Sequence, residues 1–169
     1  GDTFGAMSVG YAPEFFAKFK EQLFPTIQFP VPNRYRIPKG LTFEEYQNNC
    51  LEKIEKRFSK KDDIAAFIME SGAQMAGGVI IYPKEFQKKI SKLCKKHNIL
   101  FVLDEIATGF GRLGSMVQYQ EQQSIPDIVA YGKMLTGGYL TMASTLANKK
   151  IYDSFSGEFN DWKHLFHGH

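Results

Sequence analysis

Residues 64–70 and 99–105 are two apolar runs of strand length, each ending in acid (Glu70, then Asp104 and Glu105), and residues 83–97 between them repeat apolar side chains at helical spacing. This alternation limits the fold more than any other feature of the chain. Two strands joined through a helix are too far apart in sequence for a hairpin, so they predict a parallel pair. Residues 127–131 predict a third strand and residues 139–147 a fourth, with a short helix ahead of the third. The expected fold is α/β, with a mostly parallel sheet and helices on both faces.

The helical segments are legible in detail. Thr42 and Glu45 have capping-box spacing, and Phe43, Tyr46, Cys50, Leu51, Ile54 and Phe58 follow along one helix face. Pro83 is read as the first turn of the next helix, whose apolar face is Phe86, Ile90, Leu93, Cys94 and His97. Residues 11–40, rich in aromatics and proline without steady period, predict an irregular crossing segment with one short helix. The 169 residues are expected to form a single partial domain, 1–169. The opening GDTFGAMSVG lacks an initiator Met and reads as a loop feeding an element, so an internal fragment is expected.

Charge excludes little by itself, because Lys plus Arg exceed Asp plus Glu only by 21 to 18. Lys84, Lys88, Lys89, Lys92, Lys95 and Lys96 line one helix face without interleaved aromatics, the pattern of a solvated face rather than of a nucleic-acid contact. The longest apolar run, residues 64–69, is far short of the roughly 20 residues a membrane helix needs. Cys50 and Cys94 are isolated and sit on apolar helix faces, which predicts small buried thiols and a reducing, cytoplasmic location. His164, His167 and His169 lie close together, but no Cys or acid stands at ligand spacing, so no metal is expected.

In open parallel sheets, ligands bind outside the carboxyl ends of the strands. Glu70, Asp104 and Lys133, the last just after the run DIVAYG, occupy those ends, so a parallel sheet would bring a carboxylate and an amine to one edge. Taken singly, an acid at a strand end also serves to cap a turn, and a lysine there is usually solvated.

The segments DEIATGFGR (104–112) and PDIVAYGKMLTGG (126–138) resemble the core of the class III, fold-type-I aminotransferases, which use pyridoxal phosphate. The opening segment and the helix and strand leading to Asp104 are similar to the same family, so the resemblance extends over the whole chain. The GDTFGAMSV opening, ATGFGR, and KMLTGG followed by LTMASTLA resemble more narrowly the branch that makes diaminopelargonate in biotin synthesis. The chain departs from the family in lacking the upstream phosphate-binding turn and the downstream small domain, and in having Ser71 where relatives usually have proline.

The resemblance implies that Lys133 holds the cofactor covalently and moves a proton, and that Asp104 keeps its pyridine nitrogen protonated. It implies that Ile106 packs on the ring face and that His169 contacts the cofactor. Arg112, Asp2 and Gly168, with Lys133, are implied to meet substrate. Read from the residues alone, Ile106 is equally a core side chain, Arg112 a surface ion-pair partner and Asp2 a turn cap. The implied substrates are S-adenosylmethionine, with lysine as the alternative donor, and 7-keto-8-aminopelargonate. A homodimeric full-length enzyme is implied too. Two alternatives stay open: another class III ω-aminotransferase, of ornithine or ω-amino acid type, and a fragment without catalysis of its own.

Overall fold

The computed structural model describes residues 2–60 and 63–158. By its internal contacts the chain divides into two compact units, Gly1–Pro30 and Val31–His169. In the first, Thr3 caps helix α1 (Phe4–Val9) by accepting from Ala6 N. Helix α2 (Pro13–Phe16) and a 3-10 turn (Ala17–Gln22) follow. The buried Ser8 fastens residues 24–26 onto α1, its Oγ accepting from Phe24 N at 3.1 Å and its carbonyl accepting from Thr26 Oγ1 at 3.1 Å.

The second unit begins its regular structure with α3 (Phe43–Phe58), where the Thr42–Glu45 capping box forms in both directions. Cys50, Ile54 and Phe58, four residues apart, are its buried stripe. Strand β1 (Ala66–Glu70) leads into a small antiparallel hairpin of β2 (Ala73–Gln74) and β3 (Ile80–Ile81) that the sequence pattern did not reveal. Helix α4 (Phe86–Lys96) starts three residues later than Pro83. Pro83 instead makes a turn, its carbonyl accepting from Phe86 N, and Glu85 adopts a left-handed backbone (φ 65°) that no helix can include. The lysines of α4 face solvent or pair with acids at the surface, as Lys96 does with Glu55 of α3 at 2.6 Å.

Strand β4 (Leu100–Asp104) pairs in parallel with β1 and with β5 (Ile128–Tyr131), and a short α5 (Gln118–Glu121) precedes β5. The fourth strand, β6 (Ser144–Ala147), is half the expected length and antiparallel to β5. Residues 139–143 stay outside the ladder and exposed, although their apolar character reads as strand. The sheet order is β1-β4-β5-β6, and α6 (Lys149–Ser154) follows, capped by Asn148. Phe101, Leu103, Val129 and Tyr131 alternate onto one buried face and, with Phe86, Ile90, Cys94 and Ile54, form the core. Each such side chain contributes about 2 kcal/mol on burial, several times an exposed ion pair, so this face rather than the charged surface sets the packing.

Asp127, of the PDI segment, locks the start of β5. Its Oδ2 accepts from Phe101 N, its N–H donates to the Phe101 carbonyl, and its Oδ1 accepts from Asn148 Nδ2. Three strands are thus held in register at the end of the sheet opposite Asp104.

Candidate active site at the carboxyl edge of the sheet

Glu70 and Asp104 are register partners across β1 and β4. In a parallel ladder such partners project from the same face about 5 Å apart, so two carboxyl groups stand side by side at the carboxyl edge. Asp104 pairs in turn with Ala130 of β5, and Lys133 begins a 3-10 turn (Lys133–Leu135) just past that strand. Parallel topology therefore brings Glu70, Asp104 and Lys133 to one edge, as their positions at run ends predict.

Asp104 is oriented by its own turn: Oδ1 accepts from Ile106 N at 2.8 Å. Its other oxygen, Oδ2, has no hydrogen-bond donor among the described residues. Lys133 is exposed, and its amine makes no hydrogen bond or ion pair among the described residues. Its backbone lies in the left-handed region (φ 44°), an uncommon conformation for a side chain of this size and one that the surrounding turn must hold. A Cβ at Gly132, just before it, would meet Ile106 Cγ2 at 3.2 Å, close enough that Ile106 would have to shift by a few tenths of an ångström. Ile106 thus sits beside the strand end that carries Lys133. It reaches this place through the turn after Asp104 and not by strand alternation, because β4 ends at Asp104.

Glu70 Oε2 accepts from Met75 N at 3.0 Å. Burial raises the Glu70 carboxyl above the usual carboxylate range, and Asp104 raises it further, against the opposing effects of the Met75 bond and Lys133. The buried Tyr82 hydroxyl is likewise raised, first by burial and then by Glu70 and Asp104. These effects mark one electrostatic cluster. The two thiols lie away from it in chemistry as well as sequence: both are free and buried, and burial pushes Cys94 up to about 12.

Behind the edge lies a carboxylate that sequence reading had grouped with Asp104 without giving it a task. Glu105 is fully buried and accepts from Gln118 N at 3.0 Å and Tyr119 N at 2.6 Å, which fastens α5 beneath the site. The glycine-rich segment between them folds back on itself, Phe110 N donating to Met116 O and Gly111 N to Ser115 O. The Phe110 ring packs on the Tyr131 ring at 5.3 Å. Arg112 is exposed on this loop, with no hydrogen bond or ion pair to Asp104, Glu70 or Lys133 among the described residues. Asp2 is exposed in the first unit, one residue before the Thr3 cap. Gly168, His169 and the His164–His167 cluster lie outside the described residues. Among the described residues no group of His, Cys, Asp and Glu could hold a metal, and no helix is long and apolar enough to cross a membrane.

A carboxylate with an uncommitted oxygen, an uncommitted amine and an apolar wall at the ends of adjacent parallel strands are what a pyridine-aldehyde cofactor needs from its protein. The class-III aminotransferase model matches residues 1–168, and the chain belongs to that family, whose members depend on pyridoxal phosphate. An adenosylmethionine-8-amino-7-oxononanoate aminotransferase of Geobacter sulfurreducens is 43% identical over all of this chain, and the chain spans only 38% of that relative's length. The crystal structure of the enzyme of that name from Methanocaldococcus jannaschii superposes with a TM-score of 0.77 at 37% identity, over 100% of this chain and 37% of that one. The ω-transaminase of Pseudomonas jessenii, in complex with PMP, gives 0.89 at 30% identity, over 100% and 38%.

Proposed function

We propose that the full-length protein containing this chain is a pyridoxal-phosphate-dependent aminotransferase of biotin synthesis. It moves an amino group from S-adenosylmethionine to 7-keto-8-aminopelargonate (8-amino-7-oxononanoate), giving 7,8-diaminopelargonate. The observation that carries the cofactor reading is the meeting of Asp104 and Lys133, each with an uncommitted polar atom, at the ends of β4 and β5. The substrate reading is supported by relatives at 41–43% identity that share one activity name.

Pyridoxal phosphate, when bound, supplies the electron sink of the reaction. Asp104 Oδ2 would accept from the pyridine N–H, its orientation fixed by the Ile106 N bond to Oδ1. A carboxylate in that place favours the charged form of the ring nitrogen. Lys133 Nζ would hold the cofactor covalently and, once displaced by substrate amine, take and return a proton. Ile106 would pack on the ring and exclude water from one side. Arg112, whose planar fork suits a carboxylate, would orient substrate together with Asp2 and Gly168, and His169 would contact the cofactor. A homodimer belongs to the same reading, as does the cytoplasm, the latter supported by the free buried thiols.

A second reading, an ω-aminotransferase for another amine pair, is favoured by the TM-score of 0.89 to the Pseudomonas jessenii enzyme. The full-length protein, assayed with S-adenosylmethionine, lysine, ornithine and ω-amino acids against 7-keto-8-aminopelargonate and common keto acceptors, separates the two. Preferred transfer to 7-keto-8-aminopelargonate is expected. Faster transfer to a keto acid would establish the second reading instead.

A further inference from the structure

Residues 109–118 form a loop whose two feet both stand on one residue, Glu105. At the near foot, Gly109 N donates to the Glu105 carbonyl at 2.9 Å. At the far foot, the fully buried Glu105 carboxylate accepts from Gln118 N at 3.0 Å and, with its other oxygen, from Tyr119 N at 2.6 Å. The legs pair with each other between the feet: Phe110 N donates to the Met116 carbonyl at 2.8 Å and Gly111 N to that of Ser115 at 3.1 Å. Gln118 Nε2 draws the far leg in by donating to Ser115 Oγ at 2.6 Å.

Arg112 stands at the tip of this loop. Gly114 N donates to the Gly111 carbonyl at 2.9 Å, which closes a tight turn with Arg112 and Leu113 at its centre. The Arg112 side chain is exposed and makes no hydrogen bond or ion pair among the described residues. An arginine on a slack loop loses both loop and side-chain freedom when it grips a ligand, whereas one on a pinned loop has less left to lose, so fastening the feet lowers the cost of binding. Of the two feet, only the far one depends on a side chain. Its bonds run to an ionised acceptor, the stronger kind.

The acid next door is held by other means. Glu105 N donates to the Ala130 carbonyl at 2.9 Å, and Ile106 N donates to Asp104 Oδ1 at 2.8 Å. Neither bond involves the Glu105 carboxylate. That carboxylate therefore governs the loop without governing the place of Asp104.

We propose that Glu105 is a positioning residue for Arg112: its buried carboxylate fixes the far foot of the 109–118 loop and so holds Arg112 where it meets a substrate carboxylate. The inference rests on the reading of Arg112 as a substrate contact given above. It asks of Glu105 no contact with substrate or cofactor.

The test uses the full-length protein with Glu105→Gln, which keeps the size and one acceptor oxygen but turns an amide N–H toward one of the two donors. In the cofactor-free protein, the Phe110 and Gly111 amides are expected to exchange hydrogen about tenfold faster than in the parent. In the loaded protein, KM is expected to rise about tenfold for whichever of S-adenosylmethionine and 7-keto-8-aminopelargonate Arg112→Ala also weakens, with kcat and the cofactor dissociation constant within about twofold. The double variant should match Arg112→Ala alone, because a loop without its arginine has nothing left to position. If Glu105→Gln does not fold, Glu105→Asp, which keeps both oxygens but draws them back by one methylene, is expected to raise the same KM by about threefold. In the parent itself, the Gln118 and Tyr119 amides are expected to exchange most slowly of residues 109–119.

A folded Glu105 variant with the parent's KM overturns the inference. So does one whose KM rises as much beside Arg112→Ala as without it, one whose loss falls on kcat and cofactor binding instead, or a parent in which the Gln118 and Tyr119 amides exchange as fast as the loop tip. Arg112→Ala with the parent's KM for both substrates overturns the reading of Arg112 and this inference with it, whereas a raised KM in Arg112→Ala beside silent Glu105 variants overturns this inference alone.

Discussion

Glu70 and Asp104 end neighbouring parallel strands at the same register position, so the sheet sets one carboxyl beside the other before any loop is considered. Asp104 Oδ1 accepts from Ile106 N, two residues on, whereas Glu70 Oε2 accepts from Met75 N, five residues on, and burial raises the Glu70 carboxyl, so the two acids stand in unequal surroundings.

That inequality has a pH signature. The Glu70 carboxyl is raised by burial and by Asp104, so the folded protein binds its proton more tightly than the unfolded chain does. Its contribution to stability is full below the ordinary value of 4.5 and is lost as pH rises through the raised folded value. Glu70→Gln, measured by denaturant unfolding of the cofactor-free full-length protein, is expected to flatten the pH dependence above pH 4.5 and to stabilise near neutrality. A parallel pH profile in parent and variant would show that Glu70 does not titrate as its surroundings require.

Lys133 is exposed and packs against little, so Lys133→Ala in the full-length protein is expected to keep the parent's melting temperature to within a few degrees. The visible absorbance of lysine-held cofactor and all turnover should vanish. An unchanged absorbance spectrum would reassign the covalent attachment.

Asp104→Asn keeps the size and the acceptor for Ile106 N but removes the charge. Cofactor uptake should persist while turnover falls by about three powers of ten, each tenfold being about 1.4 kcal/mol. Near-parent kcat in this variant would give the ring nitrogen another partner.

Glu105→Ala leaves the N–H groups of Gln118 and Tyr119 without acceptors in a dry interior. With two charge-assisted bonds lost, the cost is expected at about 3 kcal/mol, read from urea unfolding. A loss under about 0.5 kcal/mol would mean that α5 is anchored elsewhere.

The 169 residues taken alone are expected to bind pyridoxal phosphate weakly, to show no amino transfer and to associate. Tyr139 (94% exposed) and Ile125 (84%) are among many large apolar residues left in water. Sedimentation and cofactor titration check this; a monodisperse chain that binds at about micromolar strength would reverse the expectation.

What was legible in the sequence is what local chemistry writes there. The Thr42–Glu45 box and the 50, 54, 58 stripe depend on residues three or four apart, and both formed. The strand ends at Glu70 and Asp104 were legible because apolar runs stop there. The start of α4 was not, since Pro83 suits a first helical turn and nothing nearby announces the left-handed Glu85. Residues 139–143 read as strand because they are largely apolar, yet they lie outside the ladder and face solvent among the described residues. Lys133 and Asp104 are placed at one sheet edge by position alone, yet the oxygen left open on Asp104 depends on the Ile106 turn. The buried Gln87 amide donates to Ser124 Oγ, 37 residues along the chain, beyond any pattern of spacing.

Asp104 and Lys133 are each fixed by the strand they follow, and Glu105 and Asp127 close the stretch between β4 and β5 at its two ends. The chain from 107 to 117 can therefore be rewritten between two fastened posts, Ile106 at Asp104 and Gln118 at Glu105, without moving the strand ends that carry Asp104 and Lys133. Under the proposed function, chemistry and choice of substrate reside in separable parts of one short segment, so that selection can retune one while the other stays constant.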